Sequence, residues 1–373
     1  MVMAVVSCIK PFDPFIDSGA EHKFVVSGCI TDQEGYQTVS VSVSSPIEEP
    51  EIIPLTGCSV TIFSDAGKEF SLEESEPGNY IVWMGEEDLR PGTSYQVVVN
   101  TPSGEVLISD FDKMPACPDV DTVYYLLEDH PTSDPSVNDR GIQFYVDLEA
   151  NEFYSRYYRW EVNETWEYHA AHAKEHYYDG DFHTIDPPDS STWKCWTSLT
   201  VRNVYTLSTR DLNQNAYKQY PLHFVNGNTT RLSVLYSFLL RQYALSETAY
   251  NYWEQLRLND YEQIGLYEKQ PMDIKGNVRE ASGSGQEVLG LFYAASVRTK
   301  RIYVSNVQGM GLNSLAFCNE LTLGHFGWAE YVPKDYPVYF YFPALGGLLI
   351  LLDECVDCEL AGGTVIKPEF WPE

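Results

Sequence analysis

The sequence predicts a mainly β protein: an N-terminal β-sandwich of Ig or prealbumin type, then a larger β-rich domain with one amphipathic helix. Three observations lead there. Apolar and polar residues alternate with a period of two in many short runs. Turn residues separate the early runs at intervals of roughly 8–12 residues. Aromatic residues make up 14% of the chain and include 27 tyrosines, side chains suited to strands.

Residues 1–19 read as a lipoprotein start and linker. Val5-Val6-Ser7 precede Cys8 in an arrangement resembling a lipobox, where a small residue stands before the cysteine that is acylated. An export signal also has a charged start and an apolar stretch of roughly 7–15 residues. Neither precedes Cys8, so the start reads as trimmed or as assigned too late. Acylation of Cys8 is the expectation, and a lipid there would anchor the chain rather than span a membrane.

Residues 20–115 form the predicted sandwich. Residues 24–30 (FVVSGCI) end at the turn-prone 31–35, and 38–44 (TVSVSVS) alternate strictly, which gives one apolar face. Residues 58–63 (CSVTIF) repeat the pattern before Asp65-Ala66-Gly67. Strands at 80–83, 95–99 and 105–109 follow, set off by Pro77-Gly78-Asn79 and Pro102-Ser103-Gly104. Cys29 and Cys58 both lie in these runs; they are read as a disulfide or as two buried thiols. Asp121-Thr122-Val123 fits an Asp-Thr-apolar O-glycosylation pattern centred on Thr122.

Residues 116–373 form the second predicted domain. Strands are expected at 142–148, 157–169, 198–208 within a segment 193–208 that also holds Cys195-Trp196, 222–225, 232–243, 289–295 and 301–305. A helix is expected near 246–264. Ser246 is its N-cap, and Ala249, Trp253 and Leu256 fall at spacings of four and three, one apolar stripe.

Charge excludes one class of partner. The chain has 54 acidic against 24 basic residues, a net charge of -30. A field of that sign repels nucleic-acid phosphates and anionic membrane surfaces. No apolar run reaches the roughly 20 residues of a membrane helix. The longest, 338–352, is interrupted by Pro343 and Gly346-Gly347.

No Gly-x-Ser-x-Gly elbow, His-Glu-x-x-His pair or phosphate-cradling glycine loop is present. The expectation is a non-enzymatic protein without a cofactor. His169, His172 and His176, with Asp179, Asp181 and His183 nearby, are the metal candidates, because the three would share one face of a helix and imidazole suits zinc, copper or nickel. Tyr177-Tyr178-Asp179-Gly180 favours a polar loop of solvated histidines instead. Cys355 and Cys358 have the spacing of a zinc or redox half-site, but zinc needs four ligands and no second such pair exists. A structural disulfide drawing on Cys355, Cys358, Cys318 or Cys195 is expected.

Residues 336–352 hold only apolar and aromatic residues, glycine and proline. Tyr339, Phe340, Tyr341, Phe342 and Leu345 are therefore read as a partner contact. The other reading is a hairpin of 338–342 with 348–352, turning at Gly346-Gly347.

An ordered set of segments resembles one family. It comprises Cys8-Ile9-Lys10-Pro11-Phe12-Asp13-Pro14, residues 24–32, Ser246 through Trp253, Gly276-Asn277-Val278, Val288-Leu289-Gly290, Ala294-Ala295-Ser296 and Arg301-Ile302. The tail adds Cys355-Val356-Asp357-Cys358, Gly362-Gly363-Thr364 and residues 367–371. Together they resemble the Bacteroidota domain of unknown function 4249. The resemblance implies an outer-membrane lipoprotein, often encoded beside a TonB-dependent receptor, and no catalytic residues. The resulting expectation is an accessory or binding subunit of an outer-membrane β-barrel complex, lipid-anchored and facing the cell surface in preference to the periplasm. The alternative is a stand-alone glycan- or metal-binding surface lipoprotein.

Overall fold

The structure is a computed structural model that describes residues 23–45, 51–134, 136–262, 274–281, 287–310, 318, 320–322, 327–344 and 346–373. It is mainly β, with one α-helix among the described residues. The chain divides into two units, Met1–Met114 with Asp273–Ala294, and Pro115–Met272 with Ala295–Glu373.

The first unit begins with β1 (Phe24–Thr31), β2 (Gly35–Val43), β3 (Ile53–Pro54), β4 (Ser59–Ser64), β5 (Glu69–Glu76), β6 (Asn79–Met84), β7 (Ser94–Asn100), β8 (Val106–Ser109) and β9 (Asp112–Lys113). Neighbours run in the order β1-β2-β6-β5-β4-β7-β8, all antiparallel. Alternation in β2 turns Val39 and Val41 inward, where they share a core with Val26, Ile30, Val60, Ile62, Val97 and Val99. Buried polar groups in this core are satisfied. Tyr80 donates its hydroxyl to the Leu55 carbonyl and accepts from the Cys58 amide, both at 2.9 Å.

Cys29 and Cys58 are not bridged to each other. Cys29 Sγ lies 3.9 Å from the Ile30 carbonyl, and Cys58 Sγ lies 3.8 Å from that of Leu55. Cys29 sits on β1, which pairs with β2, whereas Cys58 leads into β4, which pairs with β5 and β7. The two therefore never become strand neighbours. Burial pushes the Cys58 thiol pKa up.

The second unit holds β10 (Thr122–Pro131), β11 (Asn138–Glu149), β12 (Tyr157–His169), β13 (Lys174–Tyr178), β14 (Phe182–Asp189), β15 (Lys194–Thr200), β16 (Tyr205–Ser208), β17 (Ala216–Asn226) and β18 (Leu235–Ala244). One sheet runs β10-β11-β17. In another, β12 pairs with β15, β16 and β18. Their inner faces form one aromatic core, in which Phe144 of β11 stacks on Phe238 of β18 at 4.0 Å. Trp160 donates its indole N–H to Gln242 Oε1 at 3.0 Å, and Gln242 Nε2 donates to the Pro118 carbonyl at 2.9 Å.

The helix, α1 (Glu247–Glu262), starts where the sequence places it. Ser246 Oγ accepts from the Ala249 amide at 3.1 Å, an N-cap bond. Ala249 is fully buried, Trp253 and Leu256 are half-buried, and the helix packs on β12 and β16. Arg159 of β12 covers the Trp253 ring at 3.9 Å.

The chain then returns to the first unit with β19 (Val278–Glu280) on β8 and β20 (Val288–Leu289) parallel to β1. Residues 273–294 thus complete the first unit, although their position in the chain suggested the second domain. Their pairing partners lie far away in sequence, so no local pattern reveals them. Glycine is required at this return. Gly290 has φ +97°, and a Cβ there would sit 2.1 Å from the Val26 carbonyl oxygen. A Cβ on Gly276 would sit 1.5 Å from the Gly290 oxygen. Between them, Asn277 pairs with the Phe292 backbone like a strand neighbour, donating to its carbonyl at 2.7 Å and accepting from its amide at 3.0 Å.

The last strands are β21 (Phe292–Val304), which pairs with β18, then β22 (Glu320–Thr322), β23 (Val338–Tyr341) and β24 (Leu349–Leu351). The final three join β13 and β14 in a five-stranded sheet ordered β14-β13-β23-β24-β22.

Candidate functional site

That five-stranded sheet gathers most of the candidate residues. Its first hairpin, β13–β14, turns through Asp179-Gly180-Asp181, with Gly180 at φ +116°. Pairing sets the faces, because residues opposite each other point the same way. His176 opposes Phe340, Tyr178 opposes both Phe182 and Val338, and Phe340 opposes Ile350. This face carries an aromatic cluster around Trp328. Its ring lies 4.7 Å from Tyr178, 4.9 Å from Phe182 and 5.2 Å from Phe340. Phe340 is buried, whereas Phe182 and Phe342 are 59% and 53% exposed. On the opposite face, Tyr339 and Tyr341 pack with Leu351, Cys355 and Val356. Edge strand β14 carries Pro187-Pro188 just before its last residue, and these two cannot donate to a further strand.

This geometry corrects the reading of 339–345 as one exposed contact. Residues 338–341 and 349–351 form the hairpin, because the β13 edge supplies a partner strand that the local sequence does not show. Phe340 is core, Tyr339 and Tyr341 are half-buried, and Phe342 is exposed. Leu345 lies outside the described residues.

Two disulfides tie the tail down. Cys195 of β15 bonds Cys358, and Cys318 bonds Cys355, with Cα separations of 5.8 and 4.7 Å. The two cysteines of the Cys-x-x-Cys segment therefore take distant partners, not each other. Around Cys358, the Tyr168 hydroxyl donates to its carbonyl at 2.7 Å, and its amide donates to Thr192 at 2.9 Å. Trp371 donates its indole N–H to Glu167 Oε2 at 3.1 Å. Burial alone would raise the Glu167 pKa, but donors from His169, Lys194 and Trp371 outweigh it and hold the carboxyl below the ordinary glutamate value.

The histidines do not lie along a helix face: His169 ends β12, His172 lies in the connection that follows, and His176 and His183 sit on the β13–β14 hairpin. His169 Nε2 meets Glu167 Oε1 at 2.9 Å, and its ring lies 4.0 Å from Trp193. The His172 ring lies 4.4 Å from Tyr341. His176 Nδ1 meets Thr184 Oγ1 at 3.2 Å, and its ring stacks on Phe340. His183 meets Asp179 at 3.0 Å. Among the described residues, no three His, Cys, Asp or Glu side chains gather in a set that could hold a metal ion. Residues 169 and 176 lie on different strands with His172 in the connection between them, so the spacing that would align the three on a helix separates them here.

A second polar constellation lies inside the second unit. Glu164 of β12 is almost fully buried. It accepts from the Tyr236 hydroxyl at 2.8 Å, and Arg231 and His223 nitrogens lie 3.2 and 3.4 Å away. Burial pushes its pKa up, but hydrogen bonds from His223 and Tyr236 and the Arg231 charge prevail, so the net shift is downward. A lowered folded-state pKa adds stability above the unfolded value of about 4.3 and loses it as pH falls through the folded value. Acid unfolding of the intact chain is therefore expected to steepen below about pH 4. Glu164→Gln should flatten that limb in pH-dependent urea titrations; an unchanged slope would show that Glu164 contributes nothing to it.

Two other candidates complete the placement. Thr122 opens edge strand β10 with its side chain exposed. Cys8 lies outside the described residues. Phe182, Tyr178 and Trp328 were not singled out by sequence. The signal for the first two was present, since Asp179-Gly180 between alternating aromatics is a hairpin pattern.

The profile of the family Domain of unknown function (DUF4249) matches residues 9–301. The chain belongs to this family. No curated protein matches it. The matched DUF4249 span includes β13 and β14 but ends before β22, β23, β24 and the disulfide-bonded tail. Several residues that carry the resemblance have structural work in this DUF4249 chain: Ser246 caps α1, and Gly276, Asn277 and Gly290 build the return to the first unit.

Proposed function

We propose that this DUF4249 protein is a non-enzymatic outer-membrane lipoprotein, anchored at Cys8, that serves as an accessory subunit of a β-barrel of TonB-dependent receptor type. The observation that carries this reading is the aromatic face of the five-stranded sheet. Phe182 and Phe342 stand exposed beside Trp328, Tyr178 and buried Phe340, in a chain of net charge -30. Clustered exposed aromatic rings mark contact surfaces, because covering them removes apolar area from water. The two disulfides and the β13–β23 pairing hold this face rigid before contact, which lowers the ordering cost of binding.

The test is co-purification from membranes. The Phe182→Ala/Phe342→Ala chain is expected to lose its barrel partner while its unfolding curve stays within about 0.5 kcal/mol of the parent, as surface substitutions do. Cys8→Ala is expected to release the chain from the membrane. A barrel that stays bound to the double variant overturns the proposed contact face.

A further inference from the structure

A cleft of about 690 Å³ opens in the second unit where β11, β17, the segment at 201–204 and α1 meet. Its size falls in the roughly 300–1,000 Å³ range of small-ligand sites. Gln143, Arg202, Tyr205, Tyr217, Tyr220 and Arg257 line it. It shares no residue with the aromatic face of the five-stranded sheet.

Tyrosines supply the aromatic part of the wall. Tyr217 meets Tyr220 edge to face, with centroids 5.9 Å apart. Tyr220 is backed by Trp160 at 4.7 Å, and its hydroxyl donates to the Thr206 carbonyl at 2.9 Å. Tyr217 remains 39% exposed and presents its ring to the opening.

The polar groups of the wall differ in what they leave available. Arg257 is clasped by Glu254 through two hydrogen bonds, at 2.8 and 2.5 Å, so its charge is neutralised locally. Arg202 is exposed and makes no ion pair among the described residues. Gln143 is buried and donates its Nε2 to the Phe144 carbonyl at 3.0 Å. Its amide group lines the cleft, where it can exchange a hydrogen bond with a ligand in place of water.

We propose that this cleft binds an acidic sugar, a pyranose ring carrying one carboxylate. The C–H face of the ring stacks on Tyr217, whose ring Tyr220 supports edge to face, a hydroxyl meets Gln143, and the carboxylate pairs with Arg202. Each part of the wall selects one feature. Tyrosine rings favour a flat, weakly polar face. The Gln143 amide on the wall suits a hydroxyl. One uncompensated arginine in a chain of net charge -30 suits a single negative charge and disfavours multiply charged phosphates.

Calorimetry on the purified full chain tests this without any barrel partner, so its outcome is separate from that of the accessory-subunit reading. The probes are galacturonate and glucuronate, their trisaccharides, galactose and glucose as neutral counterparts, and benzoate as an acid without hydroxyls. Acidic sugars are expected to bind at least about tenfold more tightly than the neutral sugars and benzoate, a difference of 1.4 kcal/mol. Arg202→Gln is expected to erase the preference for acid, and Tyr217→Ala to weaken both sugar classes, with circular dichroism unchanged in each. A trisaccharide that binds more tightly than its monosaccharide assigns the site to a glycan chain; equal affinity assigns it to a free sugar acid. Equal binding of acidic and neutral sugars, benzoate binding as tightly as galacturonate, or no acidic sugar with a Kd below roughly 10 mM overturns the proposal.

Discussion

Replacing both Cys195 and Cys358 with serine is expected to lower the unfolding free energy by about 5 kcal/mol on chain-entropy grounds, within the 2–5 kcal/mol typical of lost native bridges. The bridge joins residues 163 positions apart, so cutting it restores a large loop to the freedom of the unfolded state. The Cys318–Cys355 bridge spans 37 positions, and the same reasoning gives a smaller loss of about 4 kcal/mol for its double serine variant. The local consequences differ as well. Loss of Cys195–Cys358 loosens the tail from β15, where Trp196 and Thr364 exchange backbone hydrogen bonds at 2.9 Å. Urea unfolding of the two double variants against the parent measures both effects. Losses below about 1 kcal/mol for both would remove the bridges as major supports of the tail.

Phe340→Ala is expected to cost about 3 kcal/mol, the lower end for deleting a buried phenylalanine, while Phe342→Ala two residues on stays within about 0.5 kcal/mol. Phe340 is only 4% exposed and touches the Trp328, His176 and Phe342 rings; Phe342 is 53% exposed. The pair therefore separates packing from contact within one aromatic run. Thermal unfolding measures the first, and recovery of the membrane partner measures the second. Equal destabilisation by the two substitutions would contradict the strand register, because one of the rings would then occupy the wrong environment.

Much of the first unit was legible because its residues obey local rules. The alternation at 38–44 put Val39 and Val41 into the core, and Pro77-Gly78-Asn79 and Pro102-Ser103-Gly104 marked turns that exist. Ser246 announced the helix, since an N-cap acts within three residues. The candidate site was less legible. Tyr177-Tyr178-Asp179-Gly180 read as a loop because Asp179 and Asp181 and the flanking His176 and His183 masked a hairpin. Residues 338–351 read as a surface because β13, their strand neighbour, lies some 160 residues earlier.

The sequence by itself determined the family through its resemblance, and the fold class, the helix and strands β1, β2, β4, β6, β7 and β8 of the first unit through near-neighbour sterics, hydrophobic period and capping; it did not show β5. It also determined that four late or isolated cysteines were available for bridges, without saying which pairs form. Only the tertiary structure decided that Cys195 takes Cys358 and Cys318 takes Cys355, that residues 273–294 complete the first unit, and that Phe340 is buried while Phe342 is not. Each of these depends on which distant segments come to lie side by side. Strand pairing and disulfide choice join residues whose mutual distance is not encoded in any local window, so their outcome appears only once the whole chain has found its lowest free energy.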